Sequence, residues 1–199
     1  MRRLSLFLAG LALAVALPAV AQAPLTHVRG KIGGLEGDTL TVITREGPAA
    51  KIKLAPDWSV VIMKHVDVSA IQPGSFIGTT NIDRPEGGGK SLEVHVFPPG
   101  VKQGEGHYPW DLKPGSMMTN GTVGKVVASG NGREIDVAYA GGVRHIVVPP
   151  GVPVVTTFPG SRADIKPGIG TVIFAQKLPS GDLITTRVLI GEHGEMPPM

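Results

Sequence analysis

The residue types best suited to chemistry stand together in one short segment, GEGHYPWD, at positions 104–111. It contains four candidate site residues: His107, Tyr108, Trp110 and Asp111. The whole chain has only two tryptophans and two tyrosines, so this clustering of large rings is unusual for its composition. Tyr and Trp combine a large apolar surface with one polar tip, which suits them to a boundary between two bodies or to a ligand surface.

Three interpretations of this segment stay open. In the first, Trp110 and Tyr108 fill a groove between two domains and fix their relative angle, while Asp111 accepts backbone N–H bonds. In the second, the segment is the surface for a ligand or a protein partner. In the third, His107 and Asp111 belong to a metal site.

A possible divalent-metal site involves four residues in and before this segment. Glu93 and His95 are two positions apart on a predicted strand and therefore share one face of it. With His107 and Asp111 they offer nitrogen and oxygen ligands that suit zinc, nickel or cupric copper. Against a metal, the sequence repeat described below places Arg187 opposite His95, so that position accepts an exposed cation. Solvated or hydrogen-bonded side chains are therefore the favoured interpretation, and no other cofactor is expected.

The motifs of the common enzyme classes are missing from the sequence. It contains neither a G-x-S-x-G elbow nor an H-E-x-x-H pair. GGGKS at 87–91 resembles a phosphate-binding loop, but Arg84 stands where that loop needs its first glycine, and a strand follows instead of a helix. The absence of cysteine excludes a thiol enzyme and an acylated lipoprotein. We therefore predict a protein that is not an enzyme.

The first 23 residues have the pattern of a signal peptide. Arg2 and Arg3 precede a long apolar run, and Ala21-Gln22-Ala23 provides the small residues that signal peptidases require. Cleavage after Ala23 predicts a periplasmic or secreted protein with no membrane span in the remaining chain. That remaining chain has 17 basic and 16 acidic residues, since the leader takes two of the 19 basic ones. Such a balance argues against a nucleic-acid partner, because phosphate binding needs clustered, uncompensated positive charge.

Three blocks of the sequence recur at one constant offset of 94 residues. The matching pairs are GKI at 30–32 with GKV at 124–126, IKLAPDWSVV at 52–61 with IVVPPGVPVV at 146–155, and IQPGSFIG at 71–78 with IKPGIGTV at 165–172. A constant offset over three blocks predicts a tandem duplication. The predicted organisation is a first unit at 27–97, a linker at 98–120, a second unit at 121–190 and a flexible tail at 191–199.

Each unit has the pattern of short antiparallel strands. KIKL and LEVHV alternate polar and apolar residues, and glycine-rich turns such as LEGD, RPEGGG and SGNG recur at short spacing. About 70 residues in five or six strands suit a small closed barrel, which leaves no exposed strand edge. The predicted fold class is all-β, with two tandem duplicated small antiparallel OB-like barrels joined by an ordered linker.

The succession G-K-I, D-T-L-T-V, I-K-L, I-Q-P-G-S-F-I-G and L-E-V-H-V resembles the small β-barrel domains of the DUF5666 family of exported bacterial proteins. The resemblance covers each half separately and implies an OB-like barrel and an exported location. Some chains of similar layout carry a label as metal-transporter permeases. The sequence contradicts that label, because a permease needs several membrane helices and no stretch after the leader could form one.

The function expected from these observations is a non-catalytic binding or accessory module in the cell envelope, with an unknown protein or small molecule as partner. One alternative is a periplasmic copper- or zinc-binding accessory protein. A second alternative is oligosaccharide or oligonucleotide binding on a barrel face, where Trp58 and the linker aromatics would be the stacking residues. A concave surface with converging polar and aromatic groups would favour the binding module over the other classes.

Overall fold

The computed structural model describes residues 25–130 and 132–199. The predicted signal peptide lies outside these described residues. Within them the secondary structure is strand, apart from three short 3₁₀ helices at Val68–Ala70, Arg162–Asp164 and Glu192–Gly194. The same described part of the chain contains no helix that is long and apolar enough to cross a membrane. The all-β fold class is therefore confirmed.

The strands form one continuous, strongly curved sheet. In chain order they are β1 (Leu25–Glu36), β2 (Thr39–Thr44), β3 (Ala49–His65), β4 (Phe76–Asp83), β5 (Gly89–Val96), β6 (Gly106–Pro109), β7 (Met117–Ser129), β8 (Gly132–Tyr139), β9 (Gly142–Val148), β10 (Val154–Pro159), β11 (Gly170–Lys177) and β12 (Leu183–Gly191). Most neighbouring strands are antiparallel, as expected from the short turns between them.

Five strands close the first barrel in the order β1, β2, β3, β12, β11 and back to β1. The pair β3–β12 is parallel, while the other four contacts of the ring are antiparallel. Alternate residues of each strand point inward because the side-chain period of a strand is two. The interior is an apolar cluster of Val28, Ile32, Leu40, Val42, Ile52, Leu54, Trp58, Val60, Ile173, Ala175, Val188 and Ile190.

A second ring has the same order, β7, β8, β9, β5, β4 and back to β7. It closes through a short parallel pairing, in which Gly89 lies beside Ile146 and Lys90 beside Val147. Its interior is formed by Ile71, Ile77, Val94, Val123, Ile135, Val137, Ile146, Val148 and Val154. Both rings are five-stranded and OB-like, but each contains one parallel contact, so the barrels are not wholly antiparallel.

The two barrels exchange strands between the halves of the sequence. The first barrel takes β1–β3 from the first half and β11–β12 from the second, while the second barrel takes β7–β9 and β4–β5. The prediction that 27–97 and 121–190 each close their own barrel is therefore wrong. The reason is the length of β3, whose 17 residues extend over about 55 Å. Its end passes beyond the first barrel, pairs with β10 and leads into β4 of the second barrel.

Structural elements recur at the spacing found in the sequence. The bounds of β4 and β11 differ by 94 residues at both ends. Met63 and Thr157, also 94 apart, pair with each other where β3 meets β10, as residues on an internal two-fold axis would. These recurrences support the duplication, which stays a prediction. The GKI and GKV blocks, however, are not equivalent in space, because the counterpart of Gly30 is Gly121 rather than the glycine of GKV.

A second apolar layer lies between the barrels, which we call the seam. It consists of the faces of β3, β5, β10 and β12 that point away from both barrel interiors, and its centre is the cluster Met63, Val155, Leu189 and Met199. The linker and the end of the chain cover this layer. Residues 191–199 are therefore not a flexible tail, since Met199 is buried and its main-chain oxygen accepts a hydrogen bond from Arg29.

Candidate functional site

Trp58 is a core residue and does not offer a binding surface. It is only 8% exposed and packs inside the first barrel. The guanidinium of Arg162 lies 4.6 Å from the centre of its ring and covers the remaining face. The prediction of Trp58 as a stacking residue is therefore wrong, because the side chain points inward on β3.

Trp110 lies where the linker meets the first barrel. Its ring is 4.4 Å from the ring of His27 on β1 and 6.1 Å from Phe174 on β11. Tyr108, at 6.2 Å, belongs to β6, which pairs with β7 of the second barrel. Trp110 and Tyr108 thus connect the two barrels through their rings, which is the arrangement that a clamp requires. The indole Nε1 of Trp110 is buried without a hydrogen-bond partner.

Asp111 forms an ion-pair cluster with β1, and we call this cluster the latch. Its Oδ1 accepts hydrogen bonds from Arg29 Nη2 at 2.7 Å and from His27 Nδ1 at 2.9 Å. The expected partners were backbone N–H groups, so this detail of the prediction is wrong. Arg29 is nearly buried and also donates Nε–H to the main-chain oxygen of Met199 at 2.8 Å. One guanidinium therefore fixes both the linker and the end of the chain to the first barrel.

The latch holds Asp111 in its ionised form. Burial by itself would raise the pKa of this carboxyl, but the hydrogen bonds and charges of Arg29 and His27 outweigh burial and lower the pKa to about 2. About half of the Asp111 side chain stays exposed to solvent. The carboxylate is therefore both a structural contact and an accessible acceptor.

An open cleft of about 190 Å³ adjoins the latch. Its lining residues are His27, Val28, Arg29, Thr44, Arg45, Glu46, Asp111 and Leu112. Arg45 and Glu46 stand in the turn after β2 and are exposed at its rim. Their opposite charges, together with the latch, give the cleft donors and acceptors on several sides. Trp110 and Phe174 back the His27 ring, so polar and aromatic groups converge here.

His107 and Tyr108 project from opposite faces of β6. His107 Nδ1 shares a hydrogen bond with Thr119 Oγ1 at 2.8 Å, and burial lowers its pKa. Tyr108 Oη donates to the oxygen of Gly104 and accepts from Asn120 Nδ2. Both side chains are satisfied within the protein. They position the linker and do not point into the cleft beside Asp111.

Glu93 and His95 are buried in the seam, on the face of β5 opposite to Val94. Glu93 Oε1 accepts from the backbone N–H and the hydroxyl of Thr80, each at 2.7 Å, but its Oε2 has no partner. Both ring nitrogens of His95 also lack partners. Burial raises the pKa of Glu93 to about 7, against the hydrogen bonds from Thr80, and lowers the pKa of His95 to about 4.

The four predicted metal ligands do not converge. His107 bonds to Thr119 and Asp111 belongs to the latch, whereas Glu93 and His95 lie inside the seam. Among the described residues, no group of three or more His, Cys, Asp and Glu side chains could hold a metal ion. The four-residue site is therefore wrong.

The alignment of the two repeats around His95 also differs from the predicted one, which placed Arg187 opposite His95. Val188 pairs with Val60 as Val94 pairs with Val154, so the counterpart of Glu93 is Arg187 and that of His95 is the seam residue Leu189.

His27 and Arg29 are candidate site residues that the sequence analysis missed. Both lie on one face of β1, in the stretch THVRG, where Val28 between them points into the barrel. Two polar side chains on one strand face usually indicate a solvated surface. The sequence signal that could have identified them is two basic side chains, two residues apart on one strand, with no acidic residue beside them. Their acidic partner Asp111 is 82 residues away from Arg29 in the sequence.

The comparisons with known proteins identify no relative. No family model matches the chain, and neither a curated protein nor a solved structure matches it. The resemblance to the DUF5666 domains therefore stays a prediction. The class that fold and site define is an all-β protein of two interlocked five-stranded barrels with a polar cleft at the latch.

Proposed function

We propose that this protein is an exported, non-catalytic binding module, and that the cleft beside the latch binds a small polar ligand. The convergence of His27, Arg45 and Asp111 around an open cleft is the observation that carries this proposal. A ligand with both hydrogen-bond donors and acceptors, such as a short saccharide or peptide, matches the mixed charge of the lining. The signal-peptide pattern at the N-terminus supports export.

Two features favour binding over catalysis. The side chains with the most strongly shifted pKa values, Glu93 and His95, lie in the seam and do not line the cleft. A catalytic acid or base must instead reach a bound substrate. His27 is held by Asp111 as a general base would be, but the cleft lining contains no cysteine or serine, and its Thr44 hydroxyl donates to the oxygen of Pro48. The cleft thus offers recognition without an activated nucleophile.

The proposal is tested by titrating ¹⁵N-labelled protein with defined saccharides, dicarboxylates and di- and tripeptides. We expect at least one of these classes to shift the amide signals of Thr44–Glu46 and Asp111–Leu112. The Arg45→Gln variant should lose that response, because it removes an exposed charge at the rim without touching a barrel core. Arg187→Gln is the matched control, since Arg187 is an exposed arginine outside the cleft. The proposal fails if no ligand class shifts these signals, or if Arg187→Gln weakens binding as much as Arg45→Gln.

A further inference from the structure

The residues that carry a second site lie on one strand in the seam. Glu93 and His95 are two positions apart on β5, so their side chains leave the same face of the strand. That face is turned away from the interior of the second barrel, and both residues are nevertheless buried, Glu93 completely and His95 to 5% exposure. They form a polar patch in an otherwise apolar layer, next to Val155, which pairs with His95.

Three atoms of this patch have no hydrogen-bond partner: Glu93 Oε2, His95 Nδ1 and His95 Nε2. A buried polar group without a partner costs about 1–3 kcal/mol, and more if it is charged. Such groups in a folded protein call for a bound water, ion or ligand to complete them. Since the two side chains share one face and do not bond to each other, a single guest between them could satisfy both.

A third oxygen lies beside this pair. Gly78 is directly opposite His95 across the β4–β5 pairing and opposite Asn120 across the β4–β7 pairing. A Cβ at Gly78 would collide with Asn120 Oδ1 and would lie 3.4 Å from the ring of Phe97. That same Phe97 ring stacks on His95, with 4.2 Å between the ring centres. The missing side chain at Gly78 therefore leaves space for the amide oxygen of Asn120 next to the imidazole.

The orientation of the Asn120 amide is fixed by its other end. Its Nδ2 donates to the oxygen of Gly104 at 2.8 Å and to Tyr108 Oη at 2.9 Å. Both acceptors belong to the linker, so the nitrogen points towards the linker and Oδ1 points towards Gly78. The linker thereby orients an oxygen donor in the seam, as second-layer hydrogen bonds orient metal ligands.

We propose that Glu93 and His95 bind a divalent transition-metal ion, zinc or cupric copper, in the seam, with Asn120 Oδ1 as an additional oxygen ligand. One imidazole nitrogen with carboxylate and amide oxygens is a donor set that these ions accept. Such an ion would give a partner to Glu93 Oε2 and to one nitrogen of His95. Water would complete the coordination, since no third His, Cys, Asp or Glu of the described residues is close enough.

The protonation states agree with this assignment. Burial lowers the pKa of His95 to about 4, so the imidazole keeps a free lone pair at neutral pH. The pKa of Glu93 is raised to about 7 by burial, and a metal ion would displace its proton. The site is distinct from the cleft of the proposed function, because neither Glu93 nor His95 lines that cleft.

The test uses the full chain, purified without a histidine tag and treated with chelator, then titrated with ZnCl₂ or CuSO₄. Calorimetry should show one ion per chain, and the melting temperature should rise because the ion binds only the folded state. Glu93→Gln and His95→Gln should each weaken binding at least tenfold. The electron paramagnetic resonance spectrum of the Cu²⁺ form should show a single imidazole nitrogen, which is a readout independent of any variant.

His145→Gln is the matched control. His145 is an exposed histidine of the second barrel outside the seam, with its Nδ1 2.9 Å from Asp136 Oδ1 and its Nε2 3.8 Å from Glu134 Oε2. This variant should keep the full effect. The proposal is overturned if neither metal binds, if binding is lost only with His145→Gln, or if the wild-type Cu²⁺ spectrum shows no nitrogen ligand. Failure here would leave the Arg45-dependent response of the cleft unaffected, so the two proposals are separable.

Discussion

At the scale of single residues, Arg29 connects two segments that lie far from it in the sequence. It joins Asp111 of the linker to the main-chain oxygen of Met199, and both contacts are made by one nearly buried guanidinium. Lysine could not reproduce them, because its single ammonium lacks the planar fork that reaches two acceptors at once. The latch therefore depends on the identity of this residue and not only on its charge.

The unpartnered indole nitrogen of Trp110 leads to a first prediction. Trp110→Ala should cost about 3 kcal/mol of unfolding free energy, because it removes a large ring packed on His27 and Phe174. Trp110→Phe should change stability by about 1 kcal/mol or less, since it keeps the ring contact and removes a buried N–H that has no acceptor. Urea titration followed by circular dichroism measures both. Equal losses in the two variants would contradict the packing described for this ring.

The latch predicts a specific response to acid. The pKa of Asp111 is lowered from 3.8 to about 2 in the folded protein, so its contribution to stability is present above pH 4. That contribution should disappear as the pH falls from about 4 to 2, because the unfolded chain binds the proton more readily.

The measurement is the free energy of unfolding of the parent and of Asp111→Asn from pH 6 to pH 2. The variant should be less stable at pH 6 and should converge with the parent near pH 2. Asp57→Asn provides a control, because Asp57 is an exposed carboxylate on β3 that takes no part in the latch. A constant difference between Asp111→Asn and the parent at every pH would show that the charge of Asp111 does not matter.

At the scale of elements, the first strands of the two barrels depend on glycines at points of close approach. A Cβ at Gly30 would collide with the carbonyl oxygen of Ile43, and one at Gly121 would collide with that of Ala138. A Cβ at Gly34 would have no neighbouring atom within 4 Å, and at Gly124 the nearest atom would be 3.6 Å away. On β1 the close approach of the neighbouring strand therefore occurs at Gly30 and not at Gly34. On β7 it occurs at Gly121 and not at Gly124.

These contacts predict opposite outcomes for neighbouring glycines. Gly30→Ala and Gly121→Ala should each cost about 1–3 kcal/mol, because the backbone of the adjacent strand must move. Gly34→Ala and Gly124→Ala, measured in parallel by thermal and urea unfolding, should change stability by about half a kcal/mol or less. A large loss at Gly124 with tolerance at Gly121 would restore the sequence alignment of GKI with GKV and refute the strand register.

At the scale of the whole molecule, the exchange of strands makes the two barrels interdependent. Each half of the sequence contributes strands to both barrels, so removing either half opens both barrels, and stability cannot be assigned to one half of the chain. If Trp110 only fixed the relative angle of two self-contained barrels, its loss would make the barrels independent of each other. The topology instead predicts a single cooperative transition in the parent and in Trp110→Ala alike.

A cut in the linker tests this interlocking. A specific protease site can be inserted between Gly100 and Val101, in an exposed turn that belongs to no strand. After cleavage the two pieces should elute as one species, because the first barrel still contains strands of both. Mixing isotope-labelled and unlabelled cut protein should give mixed pairs only at the rate of global unfolding. Rapid exchange of pieces under native conditions would show that the halves are separate barrels in simple contact.

The sequence by itself determined the all-β class, the small barrel size and the spacing of the recurring elements. Period-two alternation, as in KIKL, and glycine turns such as LEGD specify strands and their ends through local geometry. For GEGHYPWD the sequence left three interpretations open, and a clamp between two bodies was one of them, because Tyr and Trp combine a large apolar surface with one polar tip. These are properties of short stretches, and each stretch carries its own signal.

Only the tertiary structure decided which strands pair, and which polar residues are buried. Backbone N–H and C=O groups are the same in every strand, so nothing local to β4 or β11 specifies which barrel it completes. Glu93 and His95 have the alternation of a solvated face, and they are buried only because the seam covers that face. Arg29 and Asp111, 82 residues apart in the sequence, are also brought together only by the way the linker packs on the first barrel. Which strands pair and which side chains are buried therefore depends on how the strands pack across the seam. The sequence of a single strand does not contain that information.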